Sequence, residues 1–279
     1  MNDRIFVSNL CLVGYHGVME EERSLGQRFF LDIEVTTDAR RASANDDYKK
    51  AICYGTLCEL ARQVSEAGPY LLIETFAERV IAAILDRFPT VTEARVRIRK
   101  PGAPIDASFD TVGVELARKR QRKVAFSLGS NVGDRASQIR AALAFLEAEE
   151  GVEITRVSSF YETAPWGKTD QDRFVNACAI GQTSLTPHEV LRACKVIEVQ
   201  LGRTPGDRWG PRLIDIDLLW LGDEEISTVA LTLPHREMAK RGFVLMPLAE
   251  IAGEEIVAGQ SVSEMLASLD LAADEVVKL

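Results

Sequence analysis

Residues 208–220 read RWGPRLIDIDLLW. Side chains alternate across a strand, so Asp215 and Asp217 project to one face while Ile214, Ile216 and Leu218 project to the other. Neighbouring carboxylates repel, and the cost is bearable only if a cation sits between them or one keeps its proton. The segment therefore predicts a strand with an apolar face against a core and an acidic face that asks for positive charge. Taken bare, the pattern also suits an edge strand with a charged outer face. Arg203, Arg208 and Arg212 weigh toward a second reading, because guanidinium forks match phosphate oxygens and Mg²⁺ takes one or two carboxylates together with substrate phosphates. No G-x-x-x-x-G-K-[ST] loop occurs, and SLGSNVGD at 127–134 is a weak glycine-rich loop by itself.

The chain has 279 residues, enough for two domains. In the first half, RIFVSNLCLVGYHG and QRFFLDIEVTTDA carry the β-branched and aromatic residues of strands. GTLCELARQVSEAG then places Leu57, Leu60, Ala61 and Val64 at helical spacing, and ETFAERVIAAILDRF does the same with Phe76, Val80, Ile81 and Ile84. Two alternating strands, EARVRIRK and DTVGVELARKR, complete a ββααββ order. The basic run RKRQRK at 118–123 is expected to be a solvated seam between domains 1–120 and 121–279.

The second half alternates as β-α-β-β-α-β: strand KVAFSLGS, a helix carrying Ile139, Leu143 and Leu146, strands GVEITRVSSFYET and FVNACAIGQTS, a further helix, then the Asp215 strand. The helix in TPHEVLRACKVIEVQLG is bounded by Thr186 as N-cap, Pro187 in the first turn, Glu189 closing a capping box and Gly202 as terminator. This order predicts an α+β fold, with a ferredoxin-like sheet and helices on one of its faces.

A net charge of −9 argues against a general nucleic-acid binder. Five cysteines without a CxxC pair fit reduced, small buried hydrophobes better than a disulfide framework. No apolar run reaches the ~18 residues of a membrane span and MNDRIFVSNL lacks signal-peptide character, so no membrane association and a cytoplasmic location are expected.

The run R208-W-G-P-R212-L-I-D215-I-D217 resembles the signature of 6-hydroxymethyl-7,8-dihydropterin pyrophosphokinases. SLGSNVGD, SSFYETAPWG, FVNAC and LPH with KRGFVLMPL stand in that family's order between residues 123 and 270. The resemblance implies an α/β sandwich that transfers pyrophosphate from ATP to the hydroxymethyl group of a pterin, releasing AMP. It implies two Mg²⁺ ions held by Asp215 and Asp217, with Arg203 and Arg212 stabilising the transferring group and Arg208, Glu198, His235 and Arg241 toward the nucleotide. Phe174 and Phe243 would stack on the flat pterin, Asn176 would read its edge, and Trp209 would be a further substrate-binding residue. Taken singly, the two phenylalanines are ordinary core residues, Asn176 a turn or cap residue, and Glu198 a rim ion-pair partner. One departure is the stretch TPGD at 204–207, where the family often has a slightly longer loop with a further basic residue.

In the first half, Glu74 read alone is an acid at a helix start and Lys100 a strand-end lysine. Residues 4–117, however, resemble dihydroneopterin aldolases through G14-Y-H-G17, L25-G-Q27, the YG at 54, the LIE at 72–74 and KPGAP at 100–104. That resemblance implies a tunnelling-fold domain without a cofactor that cleaves 7,8-dihydroneopterin to the hydroxymethyl pterin and glycolaldehyde. Lys100 would take the side-chain hydroxyl proton through a water, Tyr54 would return a proton, Glu74 beside Ile73 would grip the pterin edge, and Glu22 would position substrate from a neighbouring subunit. Homo-oligomers, tetramer or octamer, with sites at their seams are the corresponding expectation. Two other readings stand beside this two-step enzyme: a metal-dependent nucleic-acid enzyme built on the paired aspartates, and a kinase whose first half only oligomerises.

Overall fold

The structure, a computed structural model, describes residues 3–164, 171–203, 212–269 and 276–279. The chain forms two compact units, residues 1–120 and 121–279.

The first unit is an antiparallel sheet in the order β1 (Asp3–Gly14), β2 (Gln27–Thr37), β3 (Glu93–Lys100) and β4 (Val112–Lys119). A short α1 (Glu20–Leu25) joins β1 to β2, and α2 (Arg40–Ser43), α3 (Tyr54–Glu66) and α4 (Ile73–Arg87) join β2 to β3. Strand β2 shows how the pattern works: Phe29, Leu31, Ile33 and Val35 are fully buried, and the residues between them are not. They pack with Val96 and Ile98 of β3 against Leu57 and Ala61 of α3 and Phe76, Val80, Ile81 and Ile84 of α4. Those are the helical stripes that the 3.6-residue period marks. The opposite sheet face carries a ladder of ion pairs, among them Arg95 with Glu115 and Arg99 with Asp32.

In the basic run Arg118, Lys119, Gln121 and Lys123 are exposed, as a solvated seam requires, while Arg120 and Arg122 are half-buried. Arg120 donates from Nε to Val91 O at 2.8 Å and from a terminal nitrogen to the carbonyls of Leu85 and Phe88, covering the C-terminal carbonyls of α4. Arg122 pairs with Glu224 at 2.9 Å and donates to Leu185 O. Each arginine is thus fastened within its own unit by backbone carbonyls, and Arg122 also by Glu224, partners that no sequence pattern marks.

The second unit is built on a sheet ordered β14 (Val276–Lys278), β7 (Tyr161–Thr163), β8 (Phe174–Thr183), β5 (Arg122–Ser130) and β9 (Asp215–Leu221), with β6 (Val152–Val157) also paired to β8. The predicted strand 151–163 is two strands, β6 and β7, both antiparallel to β8, with a register shift between Ile154 and Arg156. Helices α5 (Arg135–Ala148) and α6 (Pro187–Gln200) cover one face. The capping box of α6 forms, with Thr186 N donating to Glu189 at 2.8 Å.

The expectation of helices on one face only is corrected. Small hairpins β10 (Ile226–Ser227) with β11 (Thr232–Leu233) and β12 (Ile256–Val257) with β13 (Gln260–Ser261) surround α7 (Gly242–Ala252), and α8 (Val262–Ala267) follows. Helices α7 and α8 pack on the second sheet face over Ala125, Cys178, Ile180, Leu219 and Trp220. The physical reason is legible in β5, where residues 124–128 are buried without a break. A strand buried on both sides needs cover on both sides. Phe126 and Leu128 face the first helical layer, each worth about 2 kcal/mol of burial. Cys178 and Cys194 lie in these cores, while Cys53 and Cys58 are half-buried and Cys11 is exposed; all five are free thiols. Among the described residues no helix is long and apolar enough to cross a membrane.

Candidate functional site

In the second unit, β5, β8, β9 and the start of α7 converge on a cavity of about 290 Å³. Its charged wall is Lys195, Arg203, Arg212, Asp215, Asp217, His235 and Arg241, and its flat, less polar wall is Phe174, Asn176 and Phe243. Strand alternation delivers both aspartates to this wall, with Ile216 and Leu218 fully or nearly fully buried behind them. Arg203 donates to Asp215 at 2.7 Å and Arg212 at 2.5 Å. Burial alone would raise the Asp215 carboxyl, but these two guanidiniums and the Lys195 ammonium hold it below its ordinary value.

Asp217 goes the other way. Burial and the charge on Asp215 push its carboxyl up, and its ion-pair contact among the described residues is Arg241 at 3.9 Å. One carboxylate is neutralised and its neighbour is not, so the acidic pair has room for a cation. Among the described residues no third metal-ligating side chain joins them. Two carboxylates suit a hard divalent cation that draws its remaining oxygens from a phosphate chain and water. His235 adds a buried Nδ1 without a hydrogen-bond partner among the described residues, and burial holds its ring below the usual imidazole range. It is therefore a neutral side chain at the cavity wall.

On the opposite wall, Asn176 donates to Thr163 Oγ1 at 2.9 Å and faces Gly129. A Cβ on Gly129 would lie 2.9 Å from Asn176 Oδ1, which explains a glycine inside an otherwise apolar strand. Arg241 lies over the Phe243 ring at 5.6 Å.

Glu198 does not touch this cavity as a nucleotide contact, nor is it a rim residue. It is 1% exposed, accepts from Ile216 N at 2.8 Å and pairs with both Lys195 and Arg203. A helix stripe marks that position as inward-facing, but only the neighbouring strand shows that its carboxylate is fully satisfied. Arg208 and Trp209 lie outside the described residues, as does the 204–207 stretch.

Three residues of this site escaped sequence reasoning. Lys195 lies on a helix face that reads as solvent-exposed, and Gln171 lies before a strand. Asn131 is 2% exposed and grips Arg212 by both backbone groups: its Oδ1 accepts from Arg212 N at 2.7 Å and its own N–H donates to Arg212 O at 3.1 Å. Its Nδ2 reaches Gln171 at 3.2 Å. A buried asparagine one residue past β5 was the available signal.

In the first unit, Lys100 ends β3 and Glu22 lies in α1, and their side chains meet at 2.5 Å. Both are about nine-tenths buried. Burial would raise the Glu22 carboxyl, but Lys100, Met19 N and the Gln27 amide together hold it below its ordinary value. Glu22 thus stays ionised beside the Lys100 side chain. Glu22 meets Lys100 of its own chain. Gly17 explains the GYHG motif: a Cβ there would fall 2.3 Å from Glu22 Oε2, so only glycine leaves room for the carboxylate.

Glu74 and Ile73 open α4, and the turn before them is tied to the Gly17 turn by Gly17 N donating to Tyr70 O at 2.9 Å. Glu74 is exposed and makes no ion pair among the described residues. Tyr54 is 70% exposed at the start of α3, beside Tyr48 and Cys53, and makes no hydrogen bond to Lys100 or Glu22. Within one chain, then, Lys100 and Glu22 come together and Tyr54 does not join them.

His16 lies beneath this pair, fully buried among Phe29, Tyr70 and Phe76. Its Nδ1 accepts from Tyr70 N at 3.3 Å, so Nε2 carries the hydrogen directed at Ser65 Oγ, 3.0 Å away. Burial first and Lys100 second lower its pKa to about 4. An unfolded chain takes that proton near 6.5 and the folded one does not, so stability is complete above 6.5 and lost as pH falls toward 4. After solvent screening the loss is about 2 kcal/mol. His16→Gln, which stays polar but cannot titrate, is expected to flatten the urea-midpoint profile between pH 4.5 and 7.5. Parallel profiles for the two proteins would assign the slope to other groups.

Residues 5–117 match the family model for dihydroneopterin aldolase, and residues 125–253 that for 7,8-dihydro-6-hydroxymethylpterin-pyrophosphokinase. A 2-amino-4-hydroxy-6-hydroxymethyldihydropteridine pyrophosphokinase of Methylorubrum extorquens is 48% identical over 143 residues, covering 51% of this chain and 90% of that protein. The folic acid synthesis protein fol1 of Pneumocystis carinii is 30% identical over 283 residues, covering 94% of this chain but 38% of that longer protein. Among solved structures, E. coli dihydroneopterin aldolase in complex with neopterin is 31% identical with a TM-score of 0.39, covering 42% of this chain and 98% of that one.

Proposed function

The chain belongs to two enzyme families in series, dihydroneopterin aldolase in its first half and 7,8-dihydro-6-hydroxymethylpterin-pyrophosphokinase in its second, and from that premise we propose how its residues carry out two consecutive steps on one pterin. The observation that carries the proposal is the second-unit cavity, which sets an acidic, arginine-rich wall opposite a flat aromatic one.

In the first step Lys100, held beside Glu22, acts as the neutral amine and, through a water, takes the proton of the hydroxyl on the carbon that will leave, becoming the ammonium that Glu22 then balances. The carbon–carbon bond breaks, its electrons pass into the imine of the dihydropterin ring, and glycolaldehyde departs. Return of a proton to the carbon left on the ring, through Tyr54, gives the hydroxymethyl pterin. Glu74 offers two oxygens to the donors on the pterin edge. The exposure of Tyr54 supports a site completed between copies of the chain, which makes the first unit the oligomerising one.

In the second step the hydroxymethyl oxygen forms a bond to the β-phosphorus of ATP and gives up its proton to solvent, while the bond from that phosphorus to the α-phosphate bridging oxygen breaks, releasing AMP. Asp215 and Asp217 fit Mg²⁺, which when bound neutralises phosphate charge and aligns the triphosphate. Arg203 and Arg212 exchange Asp215 for the transferring phosphates as charge builds there. Phe174 and Phe243 sandwich the ring and Asn176 reads its edge.

Incubation of the full chain with dihydroneopterin and Mg-ATP is expected to yield glycolaldehyde, pterin diphosphate and AMP in equal amounts. Formation of ADP would exclude pyrophosphoryl transfer, and absence of glycolaldehyde would exclude the cleavage step.

A further inference from the structure

We propose that Lys195 is a further phosphate-binding residue of the second unit, directing its ammonium at the oxyanions of the nucleoside triphosphate. The inference rests on the pyrophosphoryl-transfer reading and deepens it.

Lys195 lies one helical turn before Glu198 on α6, and its Nζ meets both oxygens of that buried carboxylate, at 2.8 and 3.0 Å. Glu198 is anchored in turn by the backbone N–H of Ile216, so the lysine is fastened to β9, the strand that carries both aspartates. An ammonium has three N–H donors. Here they serve a single carboxylate, which leaves one directed away from it, and the side chain is 49% exposed while lining the cavity. Arg203 and Arg212 are half as exposed, at 25% and 28%, and both are already engaged by Asp215.

The charge balance points the same way. Lys195, Arg203 and Arg212 are three cations sharing the two carboxylates of Glu198 and Asp215. Among the described residues Asp217 of the same wall has no guanidinium within 3 Å, and Lys195 is the most exposed of the three cations. Its ammonium is close enough to act electrostatically on both Asp215 and Asp217. A lysine held by its stem and one carboxylate, with a donor to spare, is built to meet an anion without paying to order the side chain anew.

The test is titration calorimetry on the full chain in the presence of Mg²⁺, with a non-hydrolysable ATP analogue and with adenosine. Lys195→Ala is expected to raise the dissociation constant of the triphosphate about tenfold and leave that of adenosine within twofold, while Lys195→Arg recovers most of the loss. Unchanged triphosphate affinity in Lys195→Ala, or equal weakening of both ligands without rescue by arginine, would reduce Lys195 to a partner of Glu198 and overturn the proposal. Wild-type protein that binds no triphosphate would instead overturn the underlying reading.

Discussion

Asp217→Asn is expected to lower AMP formation by at least about 10³-fold while leaving glycolaldehyde release unchanged, because the amide keeps the shape of the carboxylate but offers no negative charge to a divalent cation. The stability of the variant should move in the opposite direction. Burial and the neighbouring Asp215 raise the Asp217 carboxyl, which marks it as destabilising when ionised and unaccompanied. Without Mg²⁺ the variant should therefore melt at or above the wild-type temperature. Asp215→Asn should lose both activity and stability, since it takes the carboxylate from Arg212 and leaves Arg203 to Glu198 alone, the two guanidiniums now bonding Asp215 at 2.5 and 2.7 Å. Chromatographic quantification of AMP beside thermal melts separates the two aspartates. A wild-type rate in Asp217→Asn would refute the assignment of the pair.

Replacement of Lys100 should have the second-largest effect. Lys100→Met is expected to reduce glycolaldehyde release by about 10²–10⁴-fold, the range for loss of a general base, with diphosphate formation from supplied hydroxymethyl pterin intact. It also leaves the Glu22 carboxylate, 9% exposed, without its cation, at a cost of about 3 kcal/mol. Adding Glu22→Gln removes the stranded charge, so the double variant should regain stability but not cleavage. Assay of glycolaldehyde alongside urea midpoints distinguishes an inactive enzyme from an unfolded one. Cleavage within twofold of wild type in the stable double variant would remove Lys100 from the chemistry.

Much of this could be read from the chain itself. The alternation in β2 and the helical stripes of α3 and α4 located every element of the first unit's core, because burial on one face leaves a periodic trace. The boundaries of α6 followed from Thr186, Glu189 and Gly202, since capping is local chemistry. The aspartate pair was evident for the same reason: residues i and i+2 of a strand share a face whatever surrounds them. The second helical layer was harder, because α7, GFVLMPLAEIA, is apolar nearly all round and shows no stripe to say which face it covers.

By itself the sequence determined the main strands, the helices α3 to α6, the families the two halves resemble and the acidic strand, all of which depend on neighbours a few residues away or on motifs in order. Only the tertiary structure decided which charges meet. That Glu22 faces Lys100, that Glu198 is buried beneath Arg203 and Lys195, and that Asn131 holds Arg212 all depend on residues between 3 and 81 positions apart. Electrostatic energy depends on distance and on exclusion of water, and a linear order of residues specifies neither until the chain has packed.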